Sequence, residues 1–146
     1  MAHIRTETII NTGPARVWQK LLKFEDYPVW NPLITKVKGQ PFLGATLTIS
    51  LAGPLDTSFD LDVKITQADE NKELHWVGSF PIMNFLMTGD HYFILEDLGN
   101  GSTKLIHGEQ FSGLMAPFLA SLIEGQATPL YQALCDSLKA ECESGV

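Results

Sequence analysis

Residues 116–144, APFLASLIEGQATPLYQALCDSLKAECES, are the stretch that decides the fold. Their apolar positions recur at spacings of three and four, which is typical of a helix with one apolar face. A helix of about 28 residues spans on the order of 40 Å, longer than a compact domain of this size needs for a connection. We therefore expect it to lie across one broad, curved sheet. The apolar positions are Phe118, Leu119, Leu122, Ile123, Leu130, Tyr131, Leu134 and Leu138.

Pro129 lies inside this predicted helix. Proline has no amide hydrogen, and its ring would press against the carbonyl group of Gly125, four residues earlier. We predict a kink between Gly125 and Pro129, so that the two halves of the helix follow a concave surface. The alternative is two separate helices with a joint at this point.

Composition and charge limit the kind of protein. The 146 residues fit one domain that can bury a core without disulfides, and 45% hydrophobic with 18% charged residues is typical of a soluble protein. The net charge is −7 and the ten Lys and Arg are scattered, so no basic stripe for nucleic acid is formed. An anionic membrane surface is disfavoured for the same reason.

The sequence shows no membrane anchor or disulfide pair. Residues 1–11 lack the apolar core of a signal peptide, and no run of about 18 apolar residues occurs. We therefore expect a cytoplasmic protein. Cys135 and Cys142 lie seven residues apart on the predicted helix, about 10.5 Å along its axis, which is beyond disulfide reach. Both are interpreted as reduced thiols.

The rest of the chain reads mainly as strands. Residues 3–11 predict an opening strand, and Gly13-Pro14 then begins a helix that runs to Lys23. Residues 24–32 predict a helical turn anchored by Tyr27 and Trp30. Apolar and polar residues then alternate, as in an antiparallel sheet with one buried face, and Asn100-Gly101 marks the tightest hairpin. The six further strands are predicted at 33–39, 46–51, 59–66, 73–79, 87–96 and 102–111.

This layout, taken with four short motifs, resembles the START-like or SRPBCC superfamily, and in particular its polyketide cyclase/dehydrase-type branch. The resemblance covers nearly the whole chain. The motifs are PARVW at 14–18, YPVWNP at 27–32, GDHYF at 89–93 and EQFSGL at 109–114.

The resemblance implies an α+β helix-grip fold for residues 1–146. In this fold a curved antiparallel sheet of about seven strands wraps around a long C-terminal helix, with two short helices between strands 1 and 2. It also implies a deep apolar cavity between sheet and helix. Because members include lipid and hormone carriers, ring-closing enzymes and co-chaperone domains, the resemblance does not imply a reaction.

The best polar candidates come from the register of the last hairpin. Pairing around Asn100 sets Leu95 opposite Leu105, Phe93 opposite His107 and His91 opposite Glu109. A His91–Glu109 hydrogen bond would keep the imidazole oriented, and such a pair can act as a general base or orient a ligand carbonyl. Three roles stay open for it: satisfaction of two buried polar groups, ligand anchoring and catalysis. His107 by itself is more typical of a strand surface than of a functional site.

Aromatic and aliphatic residues complete the predicted cavity. Trp30, Trp76 and Tyr27 would offer large contact areas to a planar ligand, although ordinary core packing is the alternative. The predicted ligand-binding residues are Trp30, Trp76, Met87, His91, Phe93, His107, Glu109, Phe118, Leu122, Leu130 and Tyr131.

An apolar stretch at 80–87 is predicted to be a loop between strands, where polar residues are usual. With the connection at 51–58 it would form a portal to the cavity, and flexible methionine side chains suit such a lid. The alternative is a homodimer contact. The predicted portal residues are Phe80, Ile82, Met83 and Phe85.

Other chemistries lack their motifs. The histidines and cysteines do not have metal-ligand spacing, and we expect no metal or cofactor. Gly99-Asn100-Gly101 is a hairpin turn and not a phosphate loop, and no nucleophile elbow occurs.

Three functions are therefore compared. The first is binding of a small hydrophobic molecule, such as a lipid, sterol, quinone or polyketide-like compound. The second is a cyclase or dehydratase that uses His91 and Glu109 on a polyketide-like substrate. The third is a protein-interaction module whose cavity is filled by Trp76, Phe93, Phe118 and Tyr131.

Overall fold

Strands and helices follow one another in the predicted order in the computed structural model, which describes residues 2–53, 56–82 and 85–144. A 3-10 turn at Phe24–Asp26 joins the first two helices. The helices are α1 (Pro14–Leu22), α2 (Tyr27–Trp30) and α3 (Ala116–Glu143). The strands are β1 (Ala2–Ile10), β2 (Ile34–Lys38), β3 (Thr46–Ala52), β4 (Ser58–Asp69), β5 (Glu73–Ile82), β6 (Phe85–Asp97) and β7 (Thr103–Gly113).

The strands form one antiparallel sheet in the order β1-β7-β6-β5-β4-β3-β2. The chain crosses from β1 at one edge to β2 at the other through α1 and α2, and then returns strand by strand. Register shifts interrupt the pairing at Ile34/Lys36 and at Ile65/Gln67. Such irregularities bend and twist strands, which suits a curled sheet around a helix. The predicted helix-grip fold is confirmed.

The long helix α3 packs unevenly along its length. Tyr131, Leu134, Cys135, Leu138 and Cys142 are buried in its second half, whereas Ala116 is the buried residue of its first half. The second half therefore belongs to the core. The first half covers the sheet more loosely and leaves space beneath it.

Pro129 is accommodated within one continuous helix, so the alternative of two separate helices is wrong. The hydroxyl group of Thr128 donates a hydrogen bond to the carbonyl group of Glu124, one turn earlier. Pro129 cannot donate to the carbonyl of Gly125, because proline lacks the amide hydrogen. The kink between Gly125 and Pro129 stays a prediction.

Residues 80–82 and 85–87 belong to paired strands and not to the predicted loop. Phe80 pairs with Met87, Pro81 with Leu86 and Ile82 with Phe85. Pairing between β4 and β5 ends at Val63 and Gly78, so Pro81 lies where one edge of β5 has no β4 partner, a position that tolerates proline. Of the four predicted portal residues, Phe80, Ile82 and Phe85 therefore belong to strands, and Met83 lies outside the described residues.

The hairpin at Asn100-Gly101 is not the tightest one. Five residues separate the paired Asp97 and Thr103, and the amide of Leu98 donates to the carbonyl of Ser102 at 3.0 Å. Only two residues separate Ile82 from Phe85. Gly99 and Gly101 both have positive φ angles, which explains why glycines flank Asn100.

Both cysteines are free and buried, as their separation predicted. Among the described helices, none is both long enough and apolar enough to cross a membrane.

Candidate functional site

A cavity of about 370 Å³ lies between the concave face of the sheet and α3. Strands β3 to β7 form its wall, and the first half of α3 together with Leu130 and Tyr131 forms its cover. Most of the side chains that surround it are apolar. The lining residues are Leu33, Ile49, Leu51, Ala52, Phe59, Leu61, Val63, Trp76, Gly78, Met87, Gly89, His91, Glu109, Phe111, Leu119, Leu122, Ile123, Ala127, Leu130 and Tyr131.

Seven of the eleven predicted ligand-binding residues line this cavity: Trp76, Met87, His91, Glu109, Leu122, Leu130 and Tyr131. Phe93 and His107 are fully buried behind it. Trp30 packs against Tyr27, with ring centroids 5.0 Å apart, and lies outside the lining. Phe118 is 77% exposed, because the first turns of α3 point its side chain away from the sheet.

Several lining residues were not singled out from the sequence. Ile49, Leu51, Leu61 and Val63 belong to the alternating pattern of β3 and β4, which marks a buried face but does not show whether that face meets a helix or a cavity. Gly78 and Gly89 lie opposite each other on β5 and β6. Glycine inside a strand is a signal of close approach, and it could have drawn attention to this spot.

The predicted register of the last hairpin is confirmed. His91 lies opposite Glu109, Phe93 opposite His107, and Leu95 opposite Leu105. The Nδ1 atom of His91 lies 3.1 Å from the Oε1 atom of Glu109. Two polar side chains thus meet inside an otherwise apolar cavity.

Helix α3 adds a third polar side chain. The hydroxyl group of Tyr131 donates a hydrogen bond to Oε1 of Glu109. Burial, the negative charge of Glu109 and this hydrogen bond raise the pKa of Tyr131 well above its usual value. Tyr131 therefore keeps its proton and acts as a hydrogen-bond donor at neutral pH.

His107 supports this group from behind. Its Nδ1 atom lies 3.3 Å from the backbone carbonyl oxygen of Tyr131, and its Nε2 atom lies 2.8 Å from Nε2 of His91. Burial, and secondly the neighbouring His91, lower the pKa of His107 well below its usual value. The ring is therefore neutral at pH 7.

Every ring nitrogen of the two histidines has a partner inside the protein. Nδ1 of His107 lies beside the carbonyl oxygen of Tyr131 and, at 3.8 Å, the Sγ atom of Cys135, while its Nε2 contacts Nε2 of His91. Nδ1 of His91 lies beside Oε1 of Glu109. One hydrogen lies between the two Nε2 atoms, because two lone pairs would repel each other at 2.8 Å.

Gly89 makes room for the Glu109 carboxylate. A β-carbon on Gly89 would lie 2.0 Å from Oε2 of Glu109, a distance that real atoms cannot adopt. The carboxylate therefore lies against the backbone of β6, and both residues border the cavity.

Aromatic rings fix the orientation of the polar group. Trp76 stacks on His91 with centroids 5.2 Å apart, and His107 stacks between Phe93 at 4.7 Å and Tyr131 at 5.0 Å. Stacked rings in a packed interior hold their neighbours in one rotamer. The polar group is thus preorganised before any ligand enters.

The remaining chemistry nearby is unreactive. Cys135 lies behind the cavity beside Thr6, and burial raises the pKa of its thiol to about 11, so it is a poor nucleophile at neutral pH. Within the described residues, no group of three or more His, Cys, Asp or Glu could hold a metal ion.

Comparisons with known proteins agree with this architecture. The family model described as "Polyketide cyclase / dehydrase and lipid transport" matches residues 1–143. No curated protein matches the sequence.

Solved structures with the same fold come from several bacteria. A START superfamily protein from Mycobacterium smegmatis is 15% identical, with a TM-score of 0.78 and coverage of 100% of both chains. A hypothetical protein from Helicobacter pylori is 16% identical, with a TM-score of 0.81, covering 97% of this chain and 88% of that one. The ZhuI aromatase/cyclase from Streptomyces sp. R1128 is 13% identical, with a TM-score of 0.77, covering 97% and 93%.

Proposed function

The chain belongs to the polyketide cyclase/dehydrase and lipid transport family, and from this premise we propose that it binds a small hydrophobic molecule between its sheet and α3. One observation carries the proposal: a cavity of about 370 Å³, bordered mainly by aliphatic and aromatic side chains, has a small preorganised polar group on its wall. Ligand sites typically combine a mostly apolar lining with a few placed polar groups.

The size of the cavity supports binding over packing. Voids larger than a water molecule are few in protein interiors, and an apolar cavity of about 150 Å³ already takes up benzene. A cavity of about 370 Å³ is more than twice as large. An apolar molecule that fills it would remove its own surface and the cavity walls from water, which is favourable at about 25 cal/mol per Å².

Native mass spectrometry of the purified protein, followed by extraction under denaturing conditions, tests the proposal. We expect either a co-purifying lipophilic mass or a thermal shift with a member of a panel of sterols, fatty acids, quinones and aromatic polyketides. A clean mass without any thermal shift would contradict the proposal.

A cavity-filling variant gives the matched control. Ala127 lines the cavity, and Ala127→Phe should fill part of it and abolish binding. Ala140 is exposed on the same helix, so Ala140→Phe adds the same ring to α3 without entering the cavity. We expect Ala140→Phe to keep the wild-type thermal shift.

A second candidate is an enzyme of the cyclase or dehydratase kind. The observation that favours it is the 3.1 Å contact between Nδ1 of His91 and Oε1 of Glu109, with Tyr131 donating to the same carboxylate oxygen inside an apolar enclosure. Such a group can take a proton from a bound substrate and return it. The fold shared with an aromatase/cyclase is compatible with this role.

His91→Ala separates binding from catalysis. If the protein is an enzyme, turnover of a polyketide-like substrate should fall by roughly 10²–10⁴-fold while binding is kept. Unchanged binding and unchanged turnover would remove His91 from both roles. Loss of binding alone would assign His91 to ligand anchoring.

The third function, a protein-interaction module, predicts a filled cavity. Its four filling residues would be Trp76, Phe93, Phe118 and Tyr131. The space between sheet and α3 is instead a cavity, and Phe118 points outward, so this function has no support.

Access to the cavity is a separate question. We propose that the end of the β5–β6 hairpin serves as the portal. A homodimer contact at the same hairpin stays the alternative.

A further inference from the structure

The hydrogen-bonding atoms of the polar group are used within the protein, apart from one carboxyl oxygen. Both ring nitrogens of His107 and both of His91 have protein partners. The hydroxyl group of Tyr131 donates a hydrogen bond to Oε1 of Glu109. No ring nitrogen and no hydroxyl hydrogen of this group is therefore left for a ligand.

What the polar group offers to the cavity is a lone pair. Glu109 is the most exposed member, with 14% of its side chain accessible against 4% for His91. Its second oxygen, Oε2, lies over Gly89, which also borders the cavity. Oε2 is a carboxylate oxygen and accepts hydrogen bonds. The oxygen of Tyr131 accepts them as well.

The lining of the cavity restricts the ligand further. Among the described residues that line the cavity, none is a lysine or arginine. An anionic carboxylate would therefore be buried without a counter-charge, which is strongly unfavourable.

We infer that the ligand is an apolar molecule without an anionic group, whose hydroxyl group, a phenol or an alcohol, donates a hydrogen bond to Oε2 of Glu109. The inference rests on the proposed binding function and adds the chemical class of the ligand. The inference predicts that hydroxylated molecules bind more tightly than two other classes of lipophile. These are molecules without a hydrogen-bond donor, and fatty acids.

Three probes that share one ring system test it by calorimetric titration of the full chain. They are 2-naphthol, its methyl ether 2-methoxynaphthalene, and 2-naphthoate. A hydrogen bond to a charged group discriminates by roughly tenfold or more, so 2-naphthol should bind at least tenfold more tightly than the ether. 2-Naphthoate should bind most weakly.

The variant Glu109→Gln changes what faces the cavity. The amide oxygen takes the position of Oε1, because the hydroxyl group of Tyr131 donates a hydrogen bond there, so the amide nitrogen takes the position of Oε2. A donor then replaces the acceptor, and the advantage of 2-naphthol over the ether should disappear. Glu96→Gln makes the same change on an exposed part of β6 and should keep the advantage.

The outcomes are distinguishable. Equal binding of 2-naphthol and its ether by the wild-type protein would overturn the inference while leaving the proposed binding function in place. Tighter binding of 2-naphthoate than of 2-naphthol would do the same. Failure of all three probes to bind would contradict the binding function and the inference together.

Discussion

At the scale of single residues, His107 carries the largest electrostatic consequence. It is fully buried, and its two ring nitrogens contact the Tyr131 carbonyl and His91. The unfolded chain takes up a proton at this ring near pH 6.5, whereas the folded protein resists it. The free energy of unfolding therefore has its full value above that pH and falls as the pH drops below it.

We predict a loss of up to about 1.4 kcal/mol per pH unit from this one residue below pH 6.5, until the folded protein also takes up the proton. Urea denaturation of the wild type and of His107→Gln between pH 7 and pH 5 measures it as the difference of the two slopes. Nitrogen NMR of the ring should show a neutral imidazole at pH 6.5. A ring already protonated at pH 6.5 would contradict this assignment.

The fit of Gly89 against Glu109 makes a second prediction. Gly89→Ala would place a β-carbon 2.0 Å from Oε2 and force the carboxylate to move. We expect a loss of about 1–3 kcal/mol in the free energy of unfolding, typical of overpacking, and changed nitrogen shifts of the His91 ring.

Gly78→Ala is the matched control. Gly78 lies directly opposite Gly89, but its added carbon would meet the side-chain methyl of Val63 at 2.7 Å. This variant should cost stability without altering the His91 nitrogen shifts. If both variants leave those shifts unchanged, Gly89 does not hold the carboxylate against His91.

At the scale of elements, α3 combines a core half and a cavity half. Leu134 is fully buried in the second half, whereas Leu122 borders the cavity with 55% of its surface exposed. Leu134→Ala should cost about 2–5 kcal/mol of unfolding free energy, as buried leucines do, and Leu122→Ala well under half of that. Chemical denaturation checks both, and equal costs would mean that the first half of α3 is packed as tightly as the second.

The hairpin and helix also show how far sequence reasoning reaches. The pairing of His91 with Glu109 followed from Asn100 as the midpoint and from the two-residue period of strands, which are local properties. The outward position of Phe118 did not follow, because its spacing matches Leu122 and only the extent of the sheet beneath decides which residues it covers. The same holds for residues 80–82 and 85–87, where the pairing of the two strands, and not their apolar composition, sets the structure.

The polar group required still more distant information. Tyr131 reaches Glu109 from another element 22 residues away, and His107 lies behind His91 and is not on a strand surface. The need for glycine at position 89 arises from the Glu109 carboxylate on the neighbouring strand. A hydrophobic pattern assigns each of these residues to a face, but the distances that give them a common function arise only from packing.

At the scale of the whole molecule, the sheet and α3 must be held apart over the cavity and packed together beside it. Pro129 lies at the boundary, directly before the consecutive residues Leu130 and Tyr131. A proline inside a helix costs about 3 kcal/mol relative to alanine. Pro129 therefore destabilises α3 at the point between its cavity-lining first half and its buried second half. The predicted kink would explain the position, because it lets the first half follow the curved sheet.

Pro129→Ala should therefore raise the free energy of unfolding and weaken ligand binding together. The restored amide would donate to the Gly125 carbonyl, straighten α3 and move its first half relative to Gly89 and Glu109. Urea denaturation measures the first effect, and titration with 2-naphthol the second. Thr128→Ala, which removes only the hydroxyl bond to Glu124, is the neighbouring control and should keep binding. A more stable protein with unchanged binding would show that the cavity does not depend on the shape of α3, and the position of Pro129 would then need another cause.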